Sequence, residues 1–352
     1  MKKLLTTSAL AAVFISGSAI AQTTVTGELR IGYKAVETTK QTSGANHGFG
    51  HESQINIQTK GKTNIGLDYA AGMSFEWDGE QTAAVTNENT YIDFISGNTT
   101  ISIGRDHIQR SDSDTSAAQL VGYAASEIAQ GVLKNTAGFV GGTGTTSDSS
   151  NLFQSSLGAA PSQNFGIAAL QVVPSVGTFS INYVPTNAAP GTSETYNGLQ
   201  SKSAYEIGFR GDFGVKGLTV LAFKNEETKR DAQAAKREAT NYGANYNFGS
   251  VTVAYNQKDH KGSGSLSTTA DTTEKQYAVA YAVSPTLTVA YREDRADGSG
   301  QAEKAKIKSL QLGYNLGPVA LIAGVADVTN VQGTTSVLED ARVGFVQLRG
   351  AF

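Results

Sequence analysis

The side chains able to do chemistry are few, and their spacing does not assemble a catalytic site. His47, His51, His107 and His260 are the only imidazoles. None falls inside an alternating apolar stretch beside a serine that it could activate as a nucleophile. No HExxH, GxSxG or P-loop pattern occurs. Gly141-Gly142-Thr143-Gly144 follows no strand and opens no helix, so it reads as a linker rather than a phosphate cradle. The chain has no cysteine, which removes disulfides and thiolate chemistry together. His47 and His51, with carboxylates from neighbouring loops, offer ligands for a loop-bound divalent cation such as calcium, but no spacing imposes a geometry. No cofactor is expected.

Carboxylates are the more concentrated feature. Asp106, Asp112, Asp114 and Glu127 lie in a stretch, residues 105–164, where the hydrophobic alternation of the rest of the chain stops. Such charges need water or basic partners. A break this long inside a compact domain is functional or disordered. Ala117, Leu120, Val121, Ala124 and Ile128 recur at helical spacing, which predicts a short amphipathic helix within residues 116–133.

Around that break, the elements that would position it read as β-strands. From Thr24, odd positions are Val25, Gly27, Leu29, Ile31 and Tyr33, while even positions are Thr26, Glu28, Arg30, Gly32 and Lys34. That is a period-two strand with one apolar and one charged face. The pattern returns about sixteen times, the even strand number of bacterial barrels. Tight turns such as Ser96-Gly97-Asn98 and Gly317-Pro318 alternate with long polar connections, among them residues 36–50, 185–202, 258–273 and 292–304. Short turns therefore gather at one end and long loops at the other. The non-apolar face carries Asn, Gln, Glu and Arg, which suits a lipid-facing exterior around a wet interior better than a packed core. Tyr33, Tyr69, Tyr205, Tyr242, Tyr277, Tyr291 and Trp77 on apolar faces fit interfacial girdles. The fold class expected is an all-β, transmembrane, up-and-down antiparallel barrel with the long third loop folded into the lumen.

Residues 1–21 have the basic, apolar and small-residue regions of a secretory signal peptide. The remaining residues 22–352 read as one barrel domain, with a constriction loop at about 106–163. The longest apolar run, about residues 319–326, is far short of a membrane helix. The formal net charge of -3 becomes more negative without Lys2 and Lys3, which argues against a nucleic-acid partner.

Three segments carry a family resemblance. Ile101-Ser102-Ile103-Gly104-Arg105-Asp106 looks like a fifth strand leading into a constriction loop, and Val173-Pro174-Ser175-Val176-Gly177-Thr178-Phe179 like the turn between strands six and seven. Gly344-Phe345-Val346-Gln347-Leu348-Arg349-Gly350-Ala351-Phe352 is similar to a closing strand. Together they resemble the sixteen-stranded, trimeric general diffusion porins of the Gram-negative outer membrane. Gly350 replaces the bulkier residue common there, and the third loop is longer and richer in Gly and Ser.

The resemblance implies an exported homotrimer that passes small hydrophilic solutes and ions. It implies contact with outer-membrane lipid, and a terminal Phe352 read by the barrel-assembly machinery. It also implies an eyelet with Asp106, Asp112, Asp114 and Glu127 on its acidic side, facing a basic wall that includes Arg30, Arg210, Arg292 and Arg349. Arg105 shares parity with Ile101 and Ile103, so it joins that wall only if a bulge turns it inward. The rival readings are a substrate-specific outer-membrane channel, a barrel enzyme and an adhesin.

Overall fold

The computed structural model describes residues 22–38, 46–79, 85–105, 107–108, 116–122, 124–129, 153, 165–185, 203–227, 238–261, 271–331 and 340–352. Sixteen strands follow in chain order: β1 (Gln22–Thr38), β2 (Asn46–Lys62), β3 (Asp68–Gly79), β4 (Thr86–Ser96), β5 (Thr99–Arg105), β6 (Gly166–Val173), β7 (Gly177–Val184) and β8 (Ala204–Gly211) form the first half. The second half is β9 (Leu218–Glu227), β10 (Glu238–Asn247), β11 (Val251–Lys261), β12 (Thr272–Ala282), β13 (Leu287–Gly298), β14 (Ala305–Asn315), β15 (Val319–Thr329) and β16 (Ala341–Ala351). Among the described residues one helix, α1 (Ala125–Ala129), stands between β5 and β6. Every strand pairs antiparallel with its neighbours in sequence, and β1 pairs with β16 to close the barrel. Closure leaves no strand edge. In hydrocarbon each unpaired backbone group would cost several kcal/mol, so closure is a condition for spanning.

Side-chain burial gives the two faces. Leu310 is 52% exposed and Leu348 47%, whereas the interleaved Gln311 and Gln347 are 2% and 1% exposed. Apolar residues outside and amides inside is the inverse of a water-soluble core, and it places hydrocarbon around the barrel and polar groups within. The tyrosines named above and Trp77 all take the outward parity of their strands. No helix among the described residues is long and apolar enough to cross a membrane; the strands do the spanning.

Several strands outrun their apolar stretches. β13 continues through Gly298, so what the sequence predicts as a long connection at 292–304 is the six-residue link 299–304. Likewise β11 continues to Lys261 and β15 to Thr329. The reason is physical: above the apolar band outward positions turn charged, as Glu293, Arg295 and Asp297 do, yet backbone pairing continues.

The seam between first and last strands is closed by a ring over a missing side chain. Gly27 N–H donates to Phe352 O at 2.8 Å and Phe352 N–H to Gly27 O at 3.0 Å. A Cβ on Gly27 would lie 2.1 Å from Cζ of the Phe352 ring. Gly27→Val is therefore expected to displace the terminal ring and weaken the seam by roughly 1–3 kcal/mol, the usual cost of overpacking. A lower fraction of heat-resistant barrel on unboiled gels would register it, with Thr26→Val as the neutral control.

Candidate functional site

The inner face at the root of the long break is built to turn the chain inward. β5 and β6 pair through Gly104 opposite Gly166. A Cβ on Gly104 would lie 2.7 Å from the Tyr91 Cβ, and one on Gly166 2.7 Å from the Ile108 Cδ1. The missing side chains make room for those two groups. Past Arg105 the chain folds back, with His107 N–H donating to Arg105 O at 2.7 Å. The His107 ring stacks on Tyr91 with centroids 3.5 Å apart, and its Nε2 lies 3.1 Å from Asp93 Oδ2. Ser102 Oγ donates to the other oxygen of Asp93. Ile108 is fully buried against Ala168 and Val184, and its carbonyl accepts from Asn182 Nδ2 at 3.0 Å.

Residues 116–122 and 124–129 then lie against the inner wall of strands on the far side. Ala117 N–H donates to Asn256 Oδ1 and Asn245 Nδ2 donates to Ala117 O, both at 3.1 Å, while Ser116 Oγ donates to Gln276 Oε1. Those partners belong to β10, β11 and β12. At the other end of the segment Lys34 Nζ, on β1, donates to Glu127 O at 2.6 Å, and Arg349 Nη2, on β16, to Gly122 O at 3.4 Å. Between these polar ties the contact is apolar. Val121, Ala125, Ile128, Ala129 and Phe153 are buried in one cluster with Val36, Ile322, Val343 and Phe345.

The predicted helix is reduced to the five residues of α1 among those described. The Ser116 hydroxyl and both backbone groups of Ala117 go to the wall, and Ala118 N–H donates to Ser116 Oγ, so no regular helical turn forms there. Of the periodic apolar residues Ala117, Val121, Ala124 and Ile128 are buried and Leu120 is half-buried, while Ala118, Ala125 and Ala129 are buried as well. Glu127 closes the start of α1, its Oε2 accepting from Ala124 N–H at 2.6 Å, as an acidic residue three positions in does in a capping box. That carboxylate thus helps hold the segment's own shape.

Of the other acidic positions expected at the eyelet, Asp106, Asp112 and Asp114 lie outside the described residues. Among the arginines, Arg30 points inward, bonding Glu28 at 2.5 Å and Glu52 at 2.8 Å. Arg292 also points inward, its Nη2 2.7 Å from Asp294 Oδ1, with 3% of its side chain exposed. Arg349 reaches the segment as described. Arg210 has inward parity but sits one residue from the end of β8 at the short-turn rim, opposite Leu221, so it lines that mouth rather than the level of α1. Arg105 pairs with Thr90 in unbroken register, so the bulge needed to aim it inward is absent; the register shift in this region falls between Met73 and Phe75.

The histidines are corrected as well. His47 and His51 belong to β2 rather than a loop, on the outward parity, with His47 6.0 Å from the Tyr33 ring. His260 lies in β11, on the inner face, 2% exposed. Among the described residues no group of three His, Asp or Glu side chains could hold a metal ion.

The inner wall also carries Lys34, Asp93, Glu206, Lys258, Glu274 and Asp294, all buried or half-buried. Parity alone would have found them. Opposite charges alternate across strands there, Lys258 standing in register with Glu274.

A closed sixteen-stranded barrel with apolar outside, charged inside and a chain segment tied across its inner wall has recognised counterparts. The family model described as Gram-negative porin matches residues 6–333. The chain belongs to this porin family. No curated protein matches its sequence closely. Among solved structures, this porin is similar to an anion-selective porin from Comamonas acidovorans, with a TM-score of 0.67 and 14% identity over 94% of this chain and 100% of that one. An engineered mutant of the Rh. blastica porin gives a TM-score of 0.59 and 17% identity over the same shares. At such identities the solved structures speak for the fold alone. Family and fold together describe an outer-membrane diffusion channel.

Proposed function

We propose that this porin passes small hydrophilic solutes and ions passively across the outer membrane, and that the segment around α1 narrows its lumen. The observation that carries the reading is the tie of residues 116–129 to strands on both sides of the inner wall, β10 to β12 at one end and β16 and β1 at the other. A segment held at both ends occupies cross-section that an empty barrel would leave to water, and the charges beside it set the field solutes meet. Arg30, Lys34, Arg292 and Arg349 form the basic part of that wall, with Arg210 at the short-turn mouth. Asp106, Asp112 and Asp114 belong to the same proposed eyelet by their place in the chain. Export through residues 1–21, assembly through Phe352 and a homotrimeric state complete the proposal; the mass of the detergent-solubilised protein checks the last.

Proteoliposome swelling in sugars of graded size tests the function. Uptake rising linearly with concentration and falling steeply with sugar size is the expected outcome. Saturating uptake of one sugar would replace general diffusion with a substrate-specific channel.

The wall also predicts a selectivity change. Arg30→Gln removes the cation that Glu28 and Glu52 share and so makes this part of the wall more negative. The reversal potential under a KCl gradient is then expected to move toward cation preference, more at low salt than above about 1 M, where screening shrinks to roughly 3 Å. A shift toward anions would contradict this placement of Arg30.

A further inference from the structure

The outside of the barrel carries a feature that diffusion through its lumen does not use. On β12 to β14 the outward side chains change from apolar to charged in register. Tyr277 stands opposite Glu293, and Tyr291 opposite Leu310; one step further from the short turns, Lys275 faces Arg295, which in turn faces Lys306, and Glu293 faces Lys308. Just below the charges lies an open groove of about 280 Å³ lined by Tyr277, Val279, Tyr291, Glu293 and Arg295. Arg295 lies over the Tyr277 ring, 5.7 Å from its centroid, and bonds Glu293 at 2.6 Å.

The charge count on this patch is unbalanced. Four cations, Lys275, Arg295, Lys306 and Lys308, surround one carboxylate, Glu293, which Arg295 already engages. Three acids border it: Asp327 stands in register with Lys308 but is engaged by Arg342 at 3.1 Å, Asp297 pairs with Lys304 at 2.7 Å, and Asp259 accepts from Gln257 and Thr273. Elsewhere on this rim the described lysine of β9 is matched, Lys224 with Glu226 at 3.3 Å.

We propose that this patch binds a phosphorylated lipid of the surrounding leaflet, its phosphate on the lysines and an acyl chain in the tyrosine groove. Cations alone would suit any anion. Their position at the upper margin of the apolar band, directly above an aromatic groove, suits an anion attached to hydrocarbon. A second copy of this chain would have to bring a surplus of acid to the same height. The inference rests on the membrane placement of the barrel but not on its conducting solutes.

The test is native mass spectrometry of the folded protein in neutral detergent, titrated with didecanoyl phosphatidic acid, didecanoyl glycerol or inorganic phosphate. Phosphatidic acid is expected to be retained well above the other two. The triple variant Lys275→Gln, Lys306→Gln, Lys308→Gln is expected to weaken that retention roughly a hundredfold, each surface lysine contributing about fivefold. The triple Lys→Arg variant, which keeps the charge, is expected to restore it. Equal retention by the Gln variant, or inorganic phosphate competing as well as the lipid, would overturn the proposal. So would disulfide cross-linking between copies through Lys308→Cys, since a second copy would then cover the patch. Conductance recorded on the same preparations keeps the two ideas separable: absent current in wild type removes the pore, while absent lipid selectivity removes only this site.

Discussion

Excising residues 116–129 behind a short Gly-Ser bridge is expected to raise the single-channel conductance severalfold and to admit larger sugars, while the barrel stays heat-resistant. The barrel's own stability comes from a closed ladder of sixteen strands that does not include the segment. The segment touches that ladder from inside, through side-chain bonds from Asn245, Asn256, Gln276, Lys34 and Arg349 and through an apolar cluster. Removing it leaves those groups facing water, which satisfies the polar ones, and leaves the apolar ones wet at a cost of about 25 cal/mol for each Å² newly exposed. Unchanged conductance after excision would mean that residues 116–129 do not limit flow.

The second large effect is expected at Ile128. Its side chain is 0% exposed and packs in the cluster that includes Val36, Val343 and Phe345. Ile128→Asp would bury an unpaired carboxylate at a cost of several kcal/mol, so the segment should leave the wall rather than accept the charge. Ile128→Val removes one methyl group and should cost only about 0.5–1.5 kcal/mol, leaving the segment in place. Recordings are then expected to be steady for Ile128→Val and to switch between lower and higher levels for Ile128→Asp. Limited proteolysis in the segment should rise for the aspartate variant alone. Quiet, wild-type records from Ile128→Asp would show that this cluster does not hold the segment.

The strands were legible because one face of each had to meet hydrocarbon. From Val25 to Tyr33 the outward parity is apolar or glycine, and a similar alternation marks most other strands, although β2 also turns His51, Ser53 and Thr59 outward. Their far ends were not legible. Beyond Tyr291 the outward residues Glu293, Arg295 and Asp297 look like loop, and only pairing with β12 and β14 keeps β13 extended. Ion-pair partners were hidden for a related reason: Arg30 meets Glu52 only because Ile31 pairs with His51, and no local pattern fixes that register. In the long break, helical spacing picked out Ala117, Val121, Ala124 and Ile128 as buried. It overstated the helix because Asn256 and Asn245 compete for the backbone of Ala117. His107 and Asp93 were missed as partners because the turn after Arg105 folds one onto the other across a strand pair.

The central claim is that the barrel encloses a continuous aqueous path narrowed from inside. Single-channel recording of the purified protein in a planar bilayer under a KCl gradient tests it most directly. Long-lived, ohmic openings with a defined reversal potential, in steps of three if the homotrimer holds, are the predicted result. A heat-resistant, correctly folded barrel that inserts yet carries no current would contradict it.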